Sequence, residues 1–131
     1  MRDDRSPFHS GNGADDLAGA FHNVEVELGA TPRPGVALSG DLDLADADTV
    51  HRLLGRLARE AAPRPVLVDL RGLEFIDSHG VRALFRARDD AERAGSRITL
   101  CASEGPVRRT LELVDADGAF DMVDEPPDDT G

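Results

Sequence analysis

The sequence contains no tryptophan and no tyrosine, and aromatic residues make up only 4% of the chain. A hydrophobic core must therefore be aliphatic, and a hydrophobic content of 40% is enough to form one. The single cysteine, Cys101, excludes an intrachain disulfide, and because it lies in an apolar run typical of a strand we interpret it as a small buried hydrophobe. No apolar run approaches the roughly 20 residues that span a membrane, and no signal-peptide pattern follows Met1. We therefore expect a cytoplasmic protein.

Positive charge is also scarce in this chain. Its 15 basic residues stand against 26 acidic ones, so that the formal net charge is −11. An excess of this sign argues against binding to nucleic acid or to an anionic membrane surface. Two interpretations of the excess stay open, namely solubility and complementarity to a basic patch on a protein partner.

The length and the hydrophobic pattern predict one α/β domain. A chain of 131 residues suits a single domain, which we place at 22–124, between a flexible N-terminal tail at 1–21 and an acidic C-terminal tail at 125–131. Changes of hydrophobic period predict strands at 24–28, 36–40, 66–70 and 97–101, helices at 46–61, 78–94 and 106–114, and a short last element at 120–123. This order implies a mixed four- to five-stranded sheet with helices packed against it. The first two strands should form a hairpin, and the next two should run parallel.

Most of the functional information lies in residues 66–85, where an apolar strand runs into the turn Asp77-Ser78-His79-Gly80 and then into an amphipathic helix. Asp77 or Ser78 is a suitable N-cap, because a short side-chain oxygen can accept hydrogen bonds from the first backbone N–H groups of a helix. The same N–H groups and the helix dipole would favour a phosphate on Ser78, whereas the carboxylate of Asp77 would oppose it. The turn is therefore either a simple helix cap or a phosphorylation site, and local physics does not choose between them.

A hydrolase interpretation of Ser78 and His79 is disfavoured. Adjacent side chains diverge at the start of a helix, so His79 is badly placed to act as a base for Ser78. The chain also lacks the G-x-S-x-G elbow of serine hydrolases. We therefore expect no catalytic residue and no enzymatic activity.

Metal and cofactor sites are not expected either. The histidines are scattered without the paired spacing of metal ligands, at His9, His22, His51 and His79. Four aspartates crowd one segment but lack the central glycine and terminal glutamate of a calcium loop, at Asp41, Asp43, Asp46 and Asp48. We expect Asp46 or Asp48 to cap the helix that follows, and we expect no metal and no cofactor.

Three parts of the chain resemble known family motifs. S-G-D-L-D-L at 39–44 is similar to a strand and loop written G-E-L-D. V-L-V-D-L-R-G-L-E-F-I-D-S-H-G-V at 66–81 is similar to D-L-S-x-V-x-F-[MI]-D-S-[ST]-G. G-S-R-I-T-L-C-A at 95–102 and P-V-R-R-T-L-E-L-V at 106–114 are similar to the strand and helix that follow. Together these segments resemble the STAS domain of the anti-sigma factor antagonist family over about 22–124.

The resemblance implies a switchable binding protein. In this family the unphosphorylated domain binds an anti-sigma factor that is also a serine kinase of the GHKL ATPase type, and binding releases a sigma factor. The kinase phosphorylates the serine after the motif aspartate, which is Ser78 here, and a metal-dependent serine phosphatase restores the domain. The resemblance also leaves open an alternative, in which the domain is a scaffold or a stress-sensing subunit of a larger regulatory assembly.

The resemblance further implies the residues that bind the partner. Asp43 matches the family's loop acid beside the phosphorylation turn, and Asp77, Ser78, His79 and Gly80 match the turn itself. Gly80 fits either a close approach of the partner or plain helix packing. The chain departs from the family at His79, where many members have a second hydroxyl, so Ser78 is the turn's only hydroxyl.

Overall fold

The computed structural model describes residues 21–29 and 34–126, apart from the side chain of Asp117. The predicted N-terminal tail lies outside the described residues except for Phe21, which is partly buried and packs against the core. The predicted C-terminal tail lies outside them from residue 127 onward. Among the described residues, no helix has the length and apolar content needed to cross a bilayer.

Five strands and four helices form the described structure. The strands are β1 (Val24–Leu28), β2 (Gly35–Leu42), β3 (Val66–Ile76), β4 (Ile98–Cys101) and β5 (Asp121–Val123). The helices are α1 (Leu44–Ala61), α2 (Ser78–Ala94), α3 (Pro106–Leu113) and the single turn α4 (Ala116–Ala119). The predicted α/β class is confirmed, and α4 is an addition to the predicted order.

The strands form one mixed sheet in the order β1-β2-β3-β4-β5. β1 and β2 pair antiparallel, as predicted for a hairpin, and every other neighbouring pair is parallel. Helix α2 connects β3 to β4, which confirms the predicted crossover between parallel strands. Because β2 and β3 are parallel, their carboxyl ends lie at the same edge of the sheet.

The core is aliphatic, as the composition predicts. α1 and α2 pack against each other and bury stripes that follow the helical period. The larger buried side chains of α1 are Val50, Leu53, Leu54 and Leu57, and those of α2 include Val81 and Leu84. α2 ends at Gly95, whose φ of 85° is left-handed and therefore suits glycine.

Two local predictions are wrong. The helix predicted to begin at Asp46 begins at Leu44, and its N-cap is Asp43 rather than Asp46 or Asp48. The strand predicted to end at residue 70 continues to Ile76, because β2 runs alongside it through two register irregularities as far as the pair Leu42 and Ile76. Both errors concern the segments that lead into the candidate site.

Candidate functional site

Two helices begin side by side at one edge of the sheet. Leu42, the last residue of β2, pairs with Ile76, the last residue of β3. Each strand is followed by an aspartate, Asp43 or Asp77, that forms the N-cap of the next helix. The backbone N–H of Asp77 donates to the carbonyl oxygen of Leu42 at 3.2 Å. The parallel pairing thus brings together two acids that are 34 positions apart in the chain.

Asp43 caps α1 and lies partly exposed at this edge. Its Oδ1 accepts a hydrogen bond from the backbone N–H of Ala45 at 3.1 Å. Both of its carboxylate oxygens lie 3.4 Å from the side-chain nitrogen of Asn23. The structure therefore places the predicted loop acid beside the predicted phosphorylation turn.

Asp77 is the N-cap of α2, one of the two residues predicted for that role. Its Oδ1 accepts from the backbone N–H of Gly80 at 2.9 Å, and its side chain is 29% exposed. The Nδ1 atom of His79 lies 3.5 Å from Asp77 Oδ2. His79 therefore faces the capping carboxylate.

Ser78 is the first residue of α2 and is exposed. The side chain of Asp77 caps the N-terminus of α2, so the Ser78 hydroxyl is not needed for that cap. It stands at the positive end of a helix of 17 residues, where the dipole favours an anion. An exposed hydroxyl in this position is accessible to a modifying enzyme.

Gly80 is buried between the two helix starts. A β-carbon at this position would lie 2.6 Å from the carbonyl oxygen of Leu42 and 2.8 Å from Cγ1 of Ile76. Only glycine lets α2 begin this close to the end of β2. Gly80 therefore positions Ser78 through packing, which is one of the two roles left open by its sequence.

A groove of about 230 Å³ runs between α1 and α2 next to this turn. Its lining combines apolar, acidic and basic side chains: Leu44, Ala47, Asp48, His51, His79, Arg82, Ala83 and Arg86. Leu44 is 66% exposed although it is a large apolar residue. The groove is thus an accessible surface that continues from Ser78 along α2.

Asp46 has a structural role that differs from the helix cap predicted for it. Its carboxylate is fully buried and accepts from the backbone N–H groups of His22, Asn23 and Val24 at 2.7–2.8 Å. It therefore ties the start of β1 to the first turn of α1. The signal in the sequence is that Asp46 falls on the same helical face as Val50, Leu53 and Leu57, where an acid needs partners.

The site has features of a binding surface. Within the described part of the chain, no group of three or more histidine, cysteine, aspartate or glutamate residues is arranged to hold a metal. The residues brought together are an exposed hydroxyl, two capping carboxylates and an adjacent groove. This arrangement can present a surface to a partner and change its charge when the hydroxyl is modified.

Comparison with known proteins identifies the same kind of domain. A family model described as the STAS domain matches residues 29–126. The fold resembles a crystal structure of an anti-sigma factor antagonist from Mycobacterium paratuberculosis, with TM-score 0.71 and 19% identity over 82% of this chain and 91% of that one. It also resembles an anti-sigma factor antagonist (STAS) domain protein from Planctomyces limnophilus, with TM-score 0.65 and 18% identity over 80% of this chain and 92% of that one. A third similar structure is the anti-sigma factor antagonist SpoIIAA in its unphosphorylated form, with TM-score 0.57 and 21% identity over 77% of this chain and 89% of that one.

Proposed function

The chain belongs to the STAS domain family, and from that premise we propose that it is an anti-sigma factor antagonist. In its unphosphorylated state it binds an anti-sigma factor and so releases a sigma factor. Phosphorylation of Ser78 ends the binding. The observation that carries this proposal is the exposed Ser78 at the start of α2, next to the two capping acids Asp43 and Asp77.

The charges around Ser78 support an off switch. A phosphate adds about −1.5 to −2 charge at neutral pH. It would stand beside the partly exposed carboxylate of Asp77 and near that of Asp43, so that an interface covering this edge would bury several like charges. A loss of about 3 kcal/mol in binding free energy weakens an interaction more than 100-fold. Repulsion and desolvation of this size are enough to release a partner.

The proposed partners follow from the family. The anti-sigma factor is itself a serine kinase of the GHKL ATPase type, and a metal-dependent serine phosphatase removes the phosphate. Asp43, Asp77, Ser78 and His79 form the contact surface, and Gly80 holds the turn in place. The protein acts in the cytoplasm as a binding protein without catalytic activity or cofactor, and it engages neither nucleic acid nor membrane.

A second candidate function is that of a scaffold or stress-sensing subunit in a larger regulatory assembly. Two large apolar residues at the end of α3 favour it, because Leu113 is 86% exposed and Val114 is 42% exposed. Adjacent exposed apolar residues can form part of a contact surface between subunits. In this function the protein co-purifies with a multi-subunit complex rather than with a single kinase.

The test is the intact mass of the protein recovered from its native cells, for the wild type and for Ser78→Ala. The matched control is Ser103→Ala, which removes another exposed serine outside the site. We expect one phosphate on the wild type and on Ser103→Ala, and none on Ser78→Ala. A GHKL-type kinase should co-purify with Ser78→Ala. Absence of the phosphate under both growth and stress conditions contradicts the proposed switch.

A further inference from the structure

Helix α2 carries a row of basic side chains that begins directly after Ser78. His79, Arg82 and Arg86 follow at helical spacing, and all three line the groove between α1 and α2. Both arginines are exposed. The row therefore forms a positively charged surface next to the modifiable hydroxyl, in a chain whose formal net charge is −11.

These two arginines differ from others in the fold. Arg71 pairs with Asp69 at 2.9 Å and Arg108 pairs with Asp124 at 2.7 Å. Arg82 and Arg86 form no ion pair within residues 21–29 and 34–126. The two arginines are cations in a strongly acidic chain, and with His79 they give the groove a lining that is complementary to an anion.

The acid that lines the same groove already has a partner. Asp48 Oδ2 lies 3.3 Å from Nε of Arg52, one turn later on α1. His51, on the α1 side, also has a partner, because its Nε2 lies 2.8 Å from Oδ2 of Asp90, one turn beyond Arg86 on α2. The groove thus keeps an excess of positive charge on its α2 side, where Arg82 is the arginine nearest in sequence to Ser78.

Helix geometry brings Arg82 to Ser78. Residues i and i+4 are neighbours on a helix surface, and Ser78 and Arg82 have this spacing. Side chains on a helix lean toward its N-terminus, so an arginine at position 82 can extend over the turn that contains Ser78. Arg86 lies a further turn away from Ser78.

We propose that Arg82 binds the phosphate of phosphorylated Ser78 within the same chain. The inference rests on the proposed function, from which it takes the phosphorylation of Ser78. Arginine forms short, charge-assisted hydrogen bonds with phosphate oxygens, and this contact competes with the repulsion from Asp77. In the unphosphorylated domain Arg82 is free in the groove to meet an acidic side chain of the anti-sigma factor. Phosphorylation therefore also withdraws an arginine from the interface.

The test measures the phosphate directly and needs no kinase. Phosphoserine is incorporated at position 78 during translation, and the second pKa of its phosphate is followed by phosphorus NMR at low salt. Three proteins are compared: the otherwise unchanged chain, Arg82→Gln and Arg86→Gln. We expect Arg82→Gln to raise the phosphate pKa by about half a unit, because an arginine one turn away stabilises the dianion. Arg86→Gln should raise it by clearly less.

Two results would overturn the inference. One is an identical phosphate pKa in the unchanged chain and in Arg82→Gln. The other is an equal rise of the phosphate pKa in Arg82→Gln and in Arg86→Gln. That result would mean that the arginines act through a long-range electrostatic field and that Arg82 does not contact the phosphate. Circular dichroism melting of each variant checks that the helix is intact. Since the phosphate is installed without a kinase, failure here leaves the proposed function standing, and absence of phosphate in native cells leaves this measurement valid.

Discussion

The carbonyl oxygen of Leu42 accepts a hydrogen bond from the backbone N–H of Asp77 and would also lie 2.6 Å from a β-carbon at position 80. One peptide group at the end of β2 therefore holds the backbone of Asp77, the N-cap of α2, and limits how closely α2 can approach the end of β2. The position of Ser78 depends on this contact, because Ser78 lies between the hydrogen-bonded residue and the glycine. Changes at these positions should therefore alter the stability of the domain.

Gly80→Ala should destabilise the domain. The added methyl group meets backbone and core atoms under 3 Å away, and such overpacking costs about 1–3 kcal/mol. We expect a melting temperature lower by several degrees, since about 1 kcal/mol corresponds to roughly 4–8 °C in a domain of this size. Gly118→Ala is the matched control, because a β-carbon at Gly118 has nothing within 4 Å. Equal melting temperatures for the two variants would contradict the packing role of Gly80.

Asp77→Asn and Asp77→Ala should have different effects. Asparagine retains an oxygen for the N–H of Gly80, whereas alanine removes the cap and costs about 0.5–2 kcal/mol. Urea unfolding should therefore show a loss of stability for the alanine variant and little change for the asparagine variant. If asparagine destabilises as much as alanine, the negative charge rather than the cap accounts for the role of Asp77 in folding.

Asp46→Ala should be among the most damaging substitutions in the chain. It leaves the backbone N–H groups of His22, Asn23 and Val24 without their acceptor, and we expect a loss of about 3 kcal/mol. Asp48→Ala is the control, because the side chain of Asp48 is 73% exposed and its pair with Arg52 is a surface pair. Urea unfolding of both variants at neutral pH measures the difference. Similar losses in the two variants would rule out a special role for the buried carboxylate.

Asp46 should also make stability depend on pH. Burial alone would raise the pKa of this carboxyl, but hydrogen bonds from the backbone of Asn23, His22 and Val24 and the nearby His22 ring lower it below its usual range. The pKa is thus lower in the folded chain than in the unfolded one, where it is about 3.9. The stabilisation is therefore present above about pH 4 and is lost as the pH falls through the folded value. When the pH is lowered from 6 to 3, the urea concentration at the midpoint of unfolding should fall less for Asp46→Asn than for the wild type.

The N-terminal segment gives a further prediction. Removal of residues 1–20 should leave the melting temperature nearly unchanged, because Phe21 and the three N–H donors to Asp46 are kept. Removal of residues 1–23 should lower it, since Phe21 and two of the donors are lost. A large drop for the shorter deletion would show that residues before Phe21 contribute to the folded domain.

Helix α2 and its surroundings could be predicted from the amino-acid sequence. The prediction of 78–94 agrees with the observed Ser78–Ala94, and Asp77 is one of the two residues predicted as its cap. Capping and left-handed helix ends depend on side chains within a few positions of the helix terminus, so local sequence is enough to predict them. The α/β class, the hairpin and the parallel crossover followed from the change of hydrophobic period along the chain.

The remaining features of the site arise from contacts made in the folded chain. Asp46 is buried because its carboxylate oxygens accept from backbone N–H groups more than 20 positions away. β3 extends to Ile76 because β2 lies beside it. Arg82 lines a groove because α1 packs against α2. Each of these depends on contacts between segments distant in sequence, and such contacts leave no local periodic signal.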